Sequence, residues 1–196
     1  MIKRGLDFFL ALAAFLFFLP VGVFICALIK IESKGSCFFC QRRLGLHGNV
    51  FTMFKFRTMR EGSEHLGTGL FSYQSDPRVT KVGAILRDFS LDELPQLINV
   101  IMGSMSLVGP RPPVTYELGS YEDIPERWKK RFTVKPGITG LAQVSGRNDL
   151  SWPEKVERDL LYVDLQKEHG VWIDISIILR TVLVVLSRSN VVEKER

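Results

Sequence analysis

The sequence predicts an α+β protein, predominantly helical with a small β-hairpin element and an N-terminal helix that enters a membrane. Three observations carry this. Phe8 to Ile29 is a stretch of 22 residues without a charge. Short apolar and aromatic runs flank Gly45-Leu46-His47-Gly48-Asn49, the pattern of two strands joined by a glycine-containing turn. Beyond Asp76 the apolar spacing becomes helical, punctuated by proline and glycine.

The uncharged stretch is long enough to cross a hydrocarbon core of about 30 Å as a helix. Pro20 stands near its middle, where it removes one backbone hydrogen bond and predicts a bend. Lys3 and Arg4 precede the stretch, and Lys30, Lys34, Arg42 and Arg43 follow it. Both flanks therefore satisfy the preference of cations for the cytoplasmic side. A straight span and a hairpin that returns to its own face both remain open on these residues.

The 196 residues carry a net charge of +5, which favours anionic partners without choosing among phospholipid, nucleic acid and phosphorylated metabolites. The cations are scattered through loops rather than gathered on one face, so no nucleic-acid partner is expected. Cys26, Cys37 and Cys40 show no disulfide framework, and the CxxC spacing lacks the further ligands that zinc needs. Free thiols place the domain in a reducing compartment.

Along the remaining chain, Cys37–Cys40 and Val50–Phe54 are the expected strands. Lys55 and Arg57 alternate with Phe54 and Phe56, which puts two cations on one strand face as a candidate anion site. Val82–Arg87 and Ser90–Met102 are expected helices, the second ending in a rigid loop with Arg111 between prolines. Glu122–Arg131 is another expected helix. Lys135-Pro136-Gly137 fits a type II turn. Ser151 with Glu154 marks the start of a helix over 152–166. Trp172–Leu186 is too polar at its centre to span and reads as an amphipathic interfacial helix.

The chemistry centres on Asp92 and Glu93. Ser90-Leu91-Asp92-Glu93 has the form of a capping box, and Asp92 before Pro95 could itself be a cap, so helix-start chemistry accounts for both acids. Arg87 and Arg111 on either side give the pair a second meaning. Arginine grips phosphate oxygens through two parallel bonds, and a carboxylate beside a diphosphate calls for Mg²⁺. Among such cations an aspartate can attack phosphorus and form an acyl phosphate.

Five segments in order carry a resemblance: Lys55-Phe56-Arg57-Thr58-Met59, Ser90 to Gln96, Gly109-Pro110-Arg111-Pro112, Lys135 to Gln143 and Ser145-Gly146-Arg147-Asn148. Together they resemble the bacterial sugar transferases, the monotopic phosphoglycosyl transferases. The resemblance implies transfer of a phosphosugar from a UDP-sugar to a polyprenol (undecaprenyl) phosphate, with release of UMP. It implies Asp92 as nucleophile and Mg²⁺ contact, Glu93 as its assistant, Arg87 and Arg111 on phosphates and Arg147 toward the uridine. It also implies a re-entrant helix-break-helix anchor over 1–34, a cytoplasmic catalytic domain over 35–190 at the inner membrane, and a tail over 191–196. Many members carry Ser before the helix-breaking proline, where this chain has Leu19, so no hydroxyl is available to bond a freed carbonyl. The start of the chain at its membrane segment resembles the minimal form of the family.

Overall fold

The computed structural model describes residues 2–63, 76–146 and 150–186. Its first helix, α1 (Ile2–Glu32), is the only described helix long and apolar enough to cross a membrane. Helical geometry runs without interruption through Pro20. A proline removes one bond from the ladder, and the apolar turns on either side keep theirs.

Both ends of α1 are fastened to the same body. Near the N-terminus, Arg4 donates to the carbonyls of Val100 (2.6 Å) and Ile101 (2.9 Å). Those carbonyls belong to the last turn of α3 (Gln96–Met102), where helix carbonyls lack internal partners. Lys3 reaches Asp174 at 2.7 Å on α7 (Val171–Leu186), and Asp7 accepts from the Ser106 hydroxyl at 2.8 Å. At the other end, the Glu32 carboxylate accepts from the backbone N–H of Lys81 and Val82 at 2.7 and 2.9 Å. These are the first free N–H groups of α2 (Lys81–Asp88), so the acid caps that helix from outside. Ala11, Ile25 and Ile29 are buried against the domain, whereas Phe17 between them is 76% exposed.

The expected hairpin forms: β1 (Phe38–Leu44) pairs antiparallel with β2 (Val50–Phe56), Phe38 opposite Phe56 and Leu44 opposite Val50. Phe56 buries with Ile25, Ile29 and Leu86, and Met53 with Ala11, Leu97, Val100 and Met105. The hairpin thus wedges between α1 and the helices that follow. A second sheet pairs β3 (Ser106–Val108) in parallel with β4 (Gly137–Thr139). The type II turn expected at Lys135-Pro136-Gly137 is absent, because Gly137 belongs to β4 and lacks the positive φ such a turn requires at its third position.

The helix expected over Glu122–Arg131 is cut short. Pro125 precedes a single turn, α4 (Glu126–Lys129), which tightens into a 3-10 turn over Lys130–Thr133. A short helix, α5 (Leu141–Ser145), follows β4. Then α6 (Trp152–His169) opens where its start signal lies, with Glu154 accepting from the Ser151 N–H at 2.7 Å. It buries Val156, Tyr162 and Val163. The apolar stripe of α7 faces outward: Trp172 is 74% exposed, and Ile175, Leu179, Leu183 and Leu186 continue that face at helical spacing. That placement agrees with the interfacial expectation, since a fold in water would bury such a stripe.

Candidate active site

Asp92 and Glu93 sit on a 3-10 turn, Leu91–Glu93, between α2 and α3. The turn starts at Ser90 with φ 55° and ψ 22°, a left-handed conformation few non-glycine residues adopt. In that conformation Ser90 makes no side-chain capping bond, so the capping-box reading is corrected. The Glu93 carboxylate is held by two cations, accepting from Lys55 Nζ at 3.0 Å and Arg111 Nη2 at 2.9 Å. A charge-assisted bond outweighs a neutral cap bond.

Asp92 and Glu93 are each only 9% exposed. Lys55 Nζ lies 3.8 Å from the Asp92 carboxylate. Burial raises the Asp92 carboxyl above its ordinary value, an effect Lys55 opposes and Glu93 reinforces. Burial likewise lowers Lys55, against the pull of Glu93. Arg87, at the end of α2, donates through Nε to the Thr58 hydroxyl at 2.9 Å and lies within the field of Asp92. Glu93 holds Arg111 firmly protonated.

The structure brings together Lys55, Arg87, Asp92, Glu93 and Arg111 from four separate segments. It does not bring Arg57 with them. That guanidinium is buried and donates to the carbonyls of Ser33 and Lys34, which fastens the C-terminal end of α1. Arg147 lies outside the described residues. Arg43 joins the site although sequence reading treated it only as a flanking charge. Its pKa is pushed down to about 10 by burial and by neighbouring Arg111. The signal was available: in the hairpin register Phe39 faces Lys55 and Phe51 faces Arg43, so strand alternation puts both cations on one side.

Arg111 is presented by a loop without slack. Pro110, Pro112 and Pro113 fix three φ angles around it. Leu44 N–H donates to the Pro113 carbonyl at 3.0 Å and Arg43 Nη1 to the Pro112 carbonyl at 2.8 Å. Four cations surround two carboxylates, so the site as a whole attracts anions. No cluster of three metal-binding side chains exists among the described residues. A hard cation such as Mg²⁺ does not require one, because it accepts one or two carboxylates with water and substrate phosphates completing its shell. Glu93 is engaged by two cations, whereas Lys55 stands at a longer 3.8 Å from Asp92, so Asp92 is the oxygen donor that fits.

These two carboxylates and four cations stand in a chain whose sequence places it in the class of the sugar transferases. The sequence profile described as bacterial sugar transferase matches residues 1–188, and the chain belongs to that family. It is similar to the exopolysaccharide production protein ExoY of Rhizobium meliloti, with 41% identity over 97% of this chain and 88% of that protein. It is also 42% identical, over 93% of its length, to the UDP-glucose:undecaprenyl-phosphate glucose-1-phosphate transferase of Escherichia coli, of which it spans 39%. A third relative is the UDP-N-acetylgalactosamine-undecaprenyl-phosphate N-acetylgalactosaminephosphotransferase of Aeromonas hydrophila, 36% identical over 95% of this chain and 44% of that protein.

Proposed function

We propose that this chain transfers a phosphosugar from a UDP-sugar to a polyprenol phosphate through a covalent intermediate on Asp92. The carrying observation is the Asp92–Glu93 pair buried among Lys55, Arg87 and Arg111. In the first step an Asp92 carboxylate oxygen attacks the phosphorus that bears the sugar. The bond from that phosphorus to the oxygen of the uridine-linked phosphate breaks, and UMP leaves with the electron pair. In the second step a polyprenol phosphate oxygen attacks the same phosphorus. The aspartyl bond breaks, restoring the carboxylate and releasing polyprenyl diphosphate sugar. Transferases whose names specify UDP-glucose and UDP-N-acetylgalactosamine as donors and undecaprenyl phosphate as acceptor are among the relatives, which supports this substrate class.

The residues divide the work. Lys55 and Arg111 anchor Glu93, which holds those two cations at the mouth of the reacting carboxylate. Arg87 and Arg111 take phosphate oxygens, and Arg43 adds positive field beside Arg111. Mg²⁺ bound at Asp92 would supply neutralisation of the diphosphate's charge. Incubating the purified protein with a panel of UDP-sugars and mixed polyprenol phosphates is expected to release UMP for at least one donor. Absence of UMP with every donor, in protein that melts cooperatively, would overturn the reading.

The same proposal places α1 as a re-entrant anchor with the catalytic domain on the cytoplasmic face. An unbroken helix of this length measures roughly 45 Å. Its two ends nevertheless make polar contacts with one domain, and its apolar middle is what stands free. A straight span would carry Lys3, Arg4 and Asp7 away from Asp174, the α3 carbonyls and Ser106 at one end, or Glu32 away from α2 at the other. In sealed spheroplasts an N-terminal epitope is expected to resist external protease. Digestion of that epitope while the domain stays intact would establish a straight span instead.

A further inference from the structure

The loop that carries Arg111 is held from behind by an ion pair that the chemistry above does not use. Arg131 and Asp159 are both about 2% exposed, on the 3-10 turn after α4 and on α6. One nitrogen, Arg131 Nη2, lies 2.7 Å from Asp159 Oδ2 and also donates to the Arg111 carbonyl at 2.8 Å. The rings of Phe132 and Trp152 each flank the guanidinium at 5.4 Å from its carbon. With the contacts from Arg43 and Leu44, the three successive carbonyls of Arg111, Pro112 and Pro113 each accept a bond, the first from Arg131 and the other two from adjacent residues at the end of β1.

We infer that Arg131, oriented by Asp159, is a positioning residue that sets where Arg111 presents its guanidinium to the substrate phosphates. The inference rests on the proposed phosphate role of Arg111. Three physical points carry it. Buried ion pairs stabilise little once desolvation is counted, and apolar replacements often do as well, so stability alone does not explain this one. Prolines at 110, 112 and 113 remove the local N–H donors, so carbonyls that turn inward must be satisfied from elsewhere. Because the same Nη2 serves both partners, a shift of Asp159 is passed on to the Arg111 backbone. A lysine at 131 could keep the charge, but its single ammonium lacks the planar fork and the ring stacking.

A double-mutant cycle on the full-length protein tests this, with kcat/KM for UMP release and thermal melting as readouts. R131K alone is expected to lower kcat/KM by about 10- to 100-fold, the scale of an ångström-level misplacement. In the R111A background the same change is expected to remove less than about 2-fold more, because the group it positions is gone. D159N is expected to follow the same cycle and serves if R131K fails to fold. A purely structural role gives losses that multiply, and that outcome overturns the inference while leaving Arg111 in place. Full activity of R131K and D159N overturns it too, as does loss of folding in both. Wild-type activity of R111A overturns the phosphate role of Arg111 and this inference together, and a wild-type protein that releases no UMP refutes the proposed function itself.

Discussion

Asp92→Asn is expected to abolish both the covalent capture of phosphosugar from a UDP-sugar and the turnover to polyprenyl diphosphate sugar. The loss should reach about 10⁴-fold or more, as for removal of a covalent nucleophile. The amide keeps the shape of the side chain but has no anionic oxygen with which to attack phosphorus. Folding is not expected to suffer. Burial raises the Asp92 pKa, so the folded protein binds that proton more tightly than the unfolded chain does. Its contribution to stability is therefore largest when protonated and is lost as pH rises through the raised value. At neutral pH a neutral amide at this position removes a desolvation penalty, and the melting temperature should hold or rise. Lys55 keeps Glu93 as its partner at 3.0 Å, so no cation is stranded. Intact-protein mass spectrometry after incubation with donor alone checks the first half, and UMP release with acceptor checks the second. A phosphosugar adduct that persists in Asp92→Asn would move the nucleophile elsewhere.

Much of the fold was legible because it rests on local periodicity. The hairpin, the start of α6 and the apolar length of α1 follow from alternation, a cap and an uncharged run, each decided within a few residues of itself. The site was legible only in part. Asp92, Glu93, Arg87 and Arg111 could be read together because they lie on motifs, and the structure does bring them together with Lys55. The left-handed backbone at Ser90 has no local signature, and the partners of Glu93 come from β2 and from the loop after β3, 38 and 18 residues away. Arg57 sits in the same strand-like run as Lys55, yet its partners Ser33 and Lys34 belong to the end of α1, a contact that no periodicity announces. Arg43 is masked in the opposite way: it follows the apolar stretch closely enough to read as a membrane-flanking charge, and only the hairpin register brings it to the side of Lys55.

Gly137→Ala is expected to unfold the catalytic domain at moderate temperature, losing about 4 kcal/mol or more. The cause is close approach rather than backbone conformation, because Gly137 has an ordinary strand φ. A Cβ at this position would stand 2.1 Å from the Gly109 nitrogen and 2.4 Å from the Thr139 oxygen, both backbone atoms that cannot swing aside. Relieving the clash with Gly109 means moving the chain after β3 away from β4 by about 1 Å, enough to misplace a catalytic group, and the Thr139 contact bends β4 itself. The pairing is what aims the arginine loop: Gly109 N–H donates to the Thr139 carbonyl at 2.9 Å, and Gly137 N–H to the Pro110 carbonyl at 3.0 Å. Arg111 follows Pro110 directly, so even a folded fraction of the variant should bind donor poorly. Gly5→Ala is the matching control. No atom lies within 4 Å of its added Cβ, and alanine is favoured in a helix interior by about 1 kcal/mol. Thermal melting of the two variants side by side separates the explanations. If Gly137→Ala melts with the wild type and keeps its activity, the parallel pairing does not hold the loop, and Arg111 must take its position from the hairpin and Arg131 alone.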